Sequence, residues 1–180
     1  MTIVRLDAGR LRERADEFAE LLVDTVAGGA SVGFLGPLDP AEAAAWWRER
    51  AAEVATGQLA VWAADDGDRL VGTVGLAFAG KANSRHRAEV VKLMVRRDGR
   101  GRGIGRRLLA TAERAAAGSG ITLLHLDTET DSLAERLYGS AGWTRLGAIP
   151  DYAAAPGGEL RPTTIYYKRL PGAAGTAPTR

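Results

Sequence analysis

The stretch VRRDGRGRGIGRRLL, residues 95–109, decides the reading of this chain. The run before it, AEVVKLMV (88–95), has strand length and few polar positions, as expected for a central strand. Residues 103–117 after it read as a helix, and ITLLHLDTE (121–129) as a second buried strand. Gly101, Gly103 and Gly105 therefore fall where a strand gives way to a helix. Glycines there bring the backbone close to a ligand and aim successive N–H groups at one point, and the new helix adds its positive end. Arg96, Arg97, Arg100, Arg102, Arg106 and Arg107 surround the turn, a combination suited to a phosphate or pyrophosphate.

Two phosphate motifs fail here. No lysine in the chain is followed by Ser or Thr, which excludes the nucleotide-hydrolysing loop. A dinucleotide fingerprint counted from Gly101 would place its third glycine at Arg106. R-x-x-G-x-G does fit, as Arg100, Gly103 and Gly105. A nucleic-acid patch is disfavoured, because the stretch has no aromatic residue on which a base would stack. An ordinary strand–helix turn with solvated arginines is the remaining alternative.

Outward from the turn, period-two runs at 59–65 and 69–78 flank DDGD and read as a hairpin. Residues 2–6 read as a short strand. Leu11, Ala15, Phe18, Leu22 and Val26 space a helix that starts at Arg10 and stops at Gly28 and Gly29. A second helix opens with Asp39 as N-cap, Pro40 at the first position and Glu42 three residues after the cap, and runs to about Thr56. Residues 132–141 form a short helix, and 143–147 and 163–170 are closing strands joined by a long loop. The order β-α-α-β-β-β-α-β-α-β-β implies a mixed sheet with helices on both faces.

The whole chain has 180 residues, which suits one domain; 1–170 is expected to be that domain and 171–180 a disordered tail. There are no cysteines, which excludes disulfides, thiolate metal sites and a Cys nucleophile. His86 and His125 are the only histidines, too few for a three-histidine zinc site, and no metal is expected. The balance of 24 basic and 22 acidic residues gives +2, against a general nucleic-acid coat. No run reaches 18 apolar residues and the start carries early acids, so neither a membrane span nor a secretory signal is expected, and the cytoplasm is the default.

The turn resembles the cofactor-binding motif of the GNAT acetyltransferases, in which it holds the pyrophosphate of acetyl-CoA. GGASVGF (28–34), RAEVVKLMV (87–95), LLHLDTE (123–129) and the final YYKRL are similar to the tabtoxin-resistance branch of that family, enzymes that acetylate a β-lactam amino-acid toxin. The resemblance spans about residues 20 to 170. It implies an α/β (α+β) fold with a mixed, mostly antiparallel sheet of six or seven strands, and acetyl-CoA as acetyl donor. Leu93, Met94, Val95, Arg100, Gly101, Arg102, Gly103, Ile104, Gly105 and Arg106 are its implied cofactor contacts. Dimers are common in the family, so a homodimer is in prospect.

Transfer from a thioester to an amine needs a base for the amine, a donor for the carbonyl oxygen and a proton for the leaving thiolate. Glu89, eleven residues before Arg100, takes the place of the family's base, and Asp127 on the next strand is the second candidate. Each has an alternative as a strand-end acid. AERLYGSAGW (134–143) places Tyr138 on the tyrosine that protonates the thiolate; its alternative is a packing aromatic. Asp131 stands about where the family often has a CoA-contacting Asn. The oxyanion donor is expected to be a backbone N–H near Met94, freed by a bulge that the sequence does not reveal.

Ser31 and Phe34, in the loop 28–36, and Tyr152, in the loop before the last strand, are expected at the acceptor site. Glu129 is a weaker candidate there. His125, between Leu124 and Leu126, reads as a core histidine, and His86 as a solvated one. The acceptor expected is a small-molecule amine. The alternatives are a protein or peptide amine, which needs an open acidic groove, and a CoA-sensing or nucleic-acid-binding module without turnover.

Overall fold

The computed structural model describes residues 1–171. Its elements are β1 (Thr2–Leu6), α1 (Ala8–Glu13), α2 (Ala15–Ala27), α3 (Pro40–Ala55), β2 (Leu59–Asp66), β3 (Arg69–Phe78), β4 (Arg87–Val95), α4 (Ile104–Gly118), β5 (Leu123–Glu129), α5 (Leu133–Ser140), β6 (Thr144–Ala154) and β7 (Leu160–Arg169). Single 3-10 turns precede β4 and α4. The seven strands form one sheet in the order β1-β2-β3-β4-β5-β7-β6. Every neighbouring pair is antiparallel except β4 and β5. This is the mixed, mostly antiparallel sheet that the resemblance implies.

Two apolar clusters, one on each face, hold the helices to the sheet. On one face Ile104, Leu108, Leu109 and Ala112 of α4, with Tyr138 of α5, pack on Trp62, Val74, Leu76, Val90, Leu124 and Leu126. On the other, Leu11, Phe18, Leu22 and Trp47 of α1–α3 pack on Leu59, Val61, Leu70 and Met94. β2 contributes Ala60, Trp62 and Ala64 to the first and Leu59, Val61 and Ala63 to the second, so its alternation has no polar side. The α1–α3 cluster stops at Val91 and Met94 on β4. Beyond it, the same face of β5 and β7 is left without a helix, and that open floor becomes the site.

Three expectations need correction. The first helix begins at Ala8 under an Asp7 cap and divides at Arg14 (φ −95°, ψ 9°). The Arg14 guanidinium binds Asp65 at the end of β2, at 2.6 and 3.1 Å, and Glu17 at 2.8 and 3.0 Å. That fork ties the break to the sheet. The strand read from residue 121 starts at Leu123, because the Ile121 amide is held by the Ala116 carbonyl at the end of α4, at 3.0 Å. The segment IPDYAAAPGGELRP is not a loop. Most of it belongs to the β6–β7 hairpin, and Tyr152 lies on a strand. Its Pro150 and glycines signal a loop, but β6 is an edge strand, where proline costs no ladder bond on the outer side. Asp151 at φ 50° absorbs the register shift between Ile149 and Ala153.

The Asp39 cap is as expected, with its carboxylate accepting from the Ala41 and Glu42 amides at 2.6 and 3.3 Å. Of the tail, residues 172–180 lie outside the described residues. Gly72 on β3 is a close-approach position: a Cβ there would stand 2.8 Å from the Met94 carbonyl oxygen and 3.0 Å from Leu108. Gly72→Val is expected to cost about 1–3 kcal/mol through overpacking. Urea denaturation monitored by tryptophan fluorescence measures it, and an unchanged midpoint would contradict this packing.

Candidate active site

The site begins where two strands part. β4 and β5 pair only through Arg87–Leu123, Ala88–Leu124 and Glu89–His125, after which β5 stays with β7. Opposite, the β3–β4 register shifts between Thr73 and Gly75, so one extra residue of β4 is accommodated at Lys92 and Leu93. Lys92 takes φ 50°, a conformation uncommon for residues other than glycine. The bulge bends β4 away from β5 and opens a wedge.

The ladder decides which amides face that wedge. Arg96 donates to the Val71 carbonyl on β3, and Met94 pairs with Thr73. Alternation along an antiparallel pair turns the Met94 amide toward β3 and those of Leu93 and Val95 toward the wedge. The Met94 side chain is buried against the α1–α3 helices. The freed donors are therefore the neighbours of the residue expected from sequence.

At the wide end of the wedge lies the glycine turn. Gly101 and Gly103 adopt φ +77° and +76°, and Gly103 is the N-cap of α4. No atom lies within 4 Å of where a Cβ would stand at either, so the cradle is open. The six arginines divide into two groups. Arg96 pairs with Glu20, Arg97 with Asp24 and Arg102 with Asp66, at 2.8, 2.8 and 3.0 Å. Arg100, Arg106 and Arg107 have no carboxylate partner among the described residues. Arg100 holds the Val95 carbonyl at 3.2 Å, and Arg106 holds Ser140 Oγ on α5 at 2.7 Å. Exposed guanidiniums beside a helix N-terminus, with two free backbone donors in the wedge, fit a long ligand carrying phosphates at one end.

Glu89 sits at the apex of the wedge. Its neighbours Ala88 and Val90 point into the α4 cluster, so Glu89 points to the opposite face. Leu124 and Leu126 do the same on β5, which puts His125, Asp127 and Glu129 on the face of Glu89. The two expected carboxylates thus share one floor. His125 is only half-buried and opposes Tyr167, so it is a floor residue rather than the core histidine expected. Glu129, half-buried at the far end of β5, opposes Thr163.

Tyr138 lies on the other face, buried beside Trp143 and Tyr166 with ring centroids 5.9 and 6.1 Å away. Its hydroxyl has no hydrogen-bond partner among the described residues. Burial, and then the charge of Asp127, push its pKa up from 10. The hydroxyl is therefore protonated at neutral pH, the state a donor needs. Asp131 (φ 64°) gives its amide to Glu135 at 2.5 Å, while Ser132 caps α5.

A pocket of about 560 Å³ opens beside the floor, lined by Gly33–Leu38, Glu42, Trp46 and Lys92. Phe34 packs edge-on against Trp46 at 5.5 Å. Ser31 bonds the Ala154 carbonyl at 3.3 Å, and the Gly36 amide bonds that of Pro156 at 2.8 Å. The loop is thus pinned to the β6–β7 hairpin. Tyr152, half exposed on the edge strand, does not line this pocket.

Sequence reasoning missed Lys92, Trp46 and Glu42. Lys92 Nζ stands 5.2 Å from the Trp46 ring centre and 5.9 Å from that of Phe34. Each such contact contributes on the order of 0.5–2 kcal/mol. Desolvation lowers the lysine's pKa, against the opposing charges of Asp127 and Glu89 and with help from Arg50. A lone charge inside AEVVKLMV was the available signal.

The acetyltransferase (GNAT) family matches residues 22–143. The chain belongs to that family, and it is an N-acetyltransferase with acetyl-CoA as acetyl donor. Solved structures share its fold. One is the ribosomal-protein-alanine N-acetyltransferase from Brucella melitensis, 20% identical, with a TM-score of 0.76 over 94% of this chain and 100% of that one. Another is yncA from Salmonella typhimurium, solved with its cofactor acetyl-CoA, 20% identical, with a TM-score of 0.76 over 99% of both chains. An N-acetyltransferase from Staphylococcus aureus Mu50 is 15% identical, with a TM-score of 0.76 over 94% of this chain and 99% of that one. Among the described residues, no helix is long and apolar enough to cross a membrane.

The lowered pKa of Lys92 means that the unfolded chain binds its proton more tightly than the folded protein does. Charged Lys92 therefore costs stability at neutral pH, and the cost fades as pH rises toward 10.5. The lost cation–π contacts offset part of that cost, so the test is the pH trend: the melting temperature of Lys92→Met relative to wild type is expected to be higher at pH 7 than at pH 10. A difference independent of pH would show that Lys92 is not desolvated.

Proposed function

We propose that the protein acetylates the amine of a small molecule by direct attack within a ternary complex. The observation that carries this reading is the wedge between β4 and β5, with Glu89 and Asp127 on one face of it and Tyr138 on the other. Acetyl-CoA supplies an acyl thioester. The turn at 100–106 would hold its phosphates through the amides of the Gly101–Gly105 segment and through Arg100 and Arg106. Arg102, paired with Asp66, has that ion pair to give up before it joins them.

Glu89 is the proposed base, taking the proton of the acceptor ammonium. Asp127 holds the acceptor on the same floor. Leu93 and Val95 offer backbone N–H groups on the wedge side, one of them to the carbonyl oxygen as negative charge develops. Tyr138 gives its proton to the departing thiolate. No cysteine is present to carry the acetyl group, which fits direct transfer.

The pocket under the 33–38 segment, with Phe34, Leu38 and Trp46 on its lining, is the proposed place for a small acceptor. Phe34 lines it directly, and Ser31 shapes it through the loop's anchor on Ala154. The narrower likeness to toxin-resistance acetyltransferases rests on the sequence strings alone, and it makes an amino-acid toxin a candidate acceptor.

Two variants test the reading. Glu89→Gln is expected to lower turnover about 10²-fold or more, followed by thiol release, with little change in melting temperature. Wild-type turnover would remove Glu89 as base. Gly103→Val is expected to weaken acetyl-CoA binding, because a β-branched residue resists φ +76° and the new side chain enters the cradle. Unchanged affinity by calorimetry would displace the phosphates from this turn.

A further inference from the structure

Three half-buried polar side chains on the open floor have no hydrogen-bond partner among the described residues, and they form one row. β4 pairs Glu89 with His125 of β5, and β5 pairs His125 with Tyr167 of β7. Ala88, Val90, Leu124, Leu126 and Tyr166 are buried in the α4 cluster, so alternation turns Glu89, His125 and Tyr167 to the opposite face. Neighbouring strands lie about 4.8 Å apart, and the side chains of a glutamate and a histidine paired across them are long enough to meet. The row before carries Arg87 and Arg169 on either side of Leu123, and the row after carries Asp127. Glu129 lies one row further, Lys92 lies past Glu89 at the bulge, and β6 sets uncharged Thr144 against Tyr167.

We infer that His125 is a positioning residue that works through Glu89: it takes over the proton that Glu89 removes from the acceptor ammonium. This rests on the proposed role of Glu89 as base and extends it by one group. The reason is chemical. An ordinary carboxylic acid has a pKa of about 4.3 and an alkylammonium one of about 10.4, so a carboxylate by itself is a weak base for this task. An ordinary imidazole, at about 6.5, is the stronger base and lies nearer the operating pH. The proton is accounted for at each step. An N–H bond of the ammonium breaks as an O–H bond forms on Glu89. That O–H bond then breaks as an N–H bond forms on the neutral ring of His125, which leaves Glu89 a carboxylate again. The imidazolium gives its proton to water on the uncovered side of the row.

The test varies the acceptor's own proton. Thiol release at neutral pH follows two size-matched pairs, 2-phenylethylamine with O-benzylhydroxylamine and 3-methylbutylamine with O-isobutylhydroxylamine. The first of each pair is an ammonium at that pH and the second a neutral amine, so only the first must lose a proton before attack. His125→Gln is expected to lower the ratio of kcat/KM, ammonium over neutral amine, by about tenfold or more. A purely structural role would lower both members and leave the ratio. In the Glu89→Gln background the same change is expected to lower the ratio no further, because the two groups act as one unit. A ratio unmoved by His125→Gln overturns the inference, as does an equal loss in both backgrounds. Where no probe amine is turned over, the ring signals of the two histidines decide: the His125 signal is expected to move in Glu89→Gln, and an unmoved signal overturns the inference. Wild-type turnover in Glu89→Gln removes the base and the inference with it, whereas a loss in Glu89→Gln without the His125→Gln effect overturns the inference alone.

Discussion

The parallel pairing of β4 with β5 lasts three residues, and the rest of the site depends on its ending there. Were the ladder to continue, the Leu93 and Val95 amides would bond to β5 and no ligand would find a free donor. The bulge at Lys92 and Leu93 prevents that by bending β4 while its other edge stays bonded to β3. The strained residue sits at the bend and pays for a permanent opening in an otherwise closed sheet. Both apolar clusters brace the strands on either side, with Val90 and Leu126 held on one face and Met94 on the other. The opening is built into the fold rather than made by ligand arrival.

Charge is arranged along this opening with a division of labour. At the wide end, half of the arginines are committed to neighbouring acids and half are not, so the turn is positive without being a cluster of unpaired charges. At the apex, carboxylates share a face with one lysine. Across the sheet, a buried tyrosine carries its hydroxyl proton, and burial raises its pKa above the ordinary value. β4 carries Glu89 and the two wedge-side amides, and α5 carries Tyr138 on the other face, each held by packing.

Much of this was legible in the sequence for identifiable reasons. The glycine spacing after an apolar strand marks the turn because few other backbone arrangements need glycines there. The period-two runs and the Asp39–Pro40–Glu42 start give β2, β3 and α3 because local physics dominates at those places. Strand position and resemblance single out Glu89 and Asp127, and the fold places both on one face of the sheet. The bulge was not visible, since Lys92 is not a glycine and nothing local demands its conformation. The β6–β7 hairpin was misread because edge-strand pairing tolerates Pro150 and the glycines that elsewhere signal a loop. His125 was misassigned because alternation with leucines shows which residues share a face, not whether a helix covers it.

We propose that the β4 amides facing the wedge and the turn at 101–105 form one ligand-binding surface. Amide hydrogen exchange with and without acetyl-CoA tests this most directly. Protection is expected to rise at Leu93 and Val95 and across Gly101–Gly105, with Met94 changing little because its amide faces β3. Protection confined to other segments, or none at saturating acetyl-CoA, would contradict it.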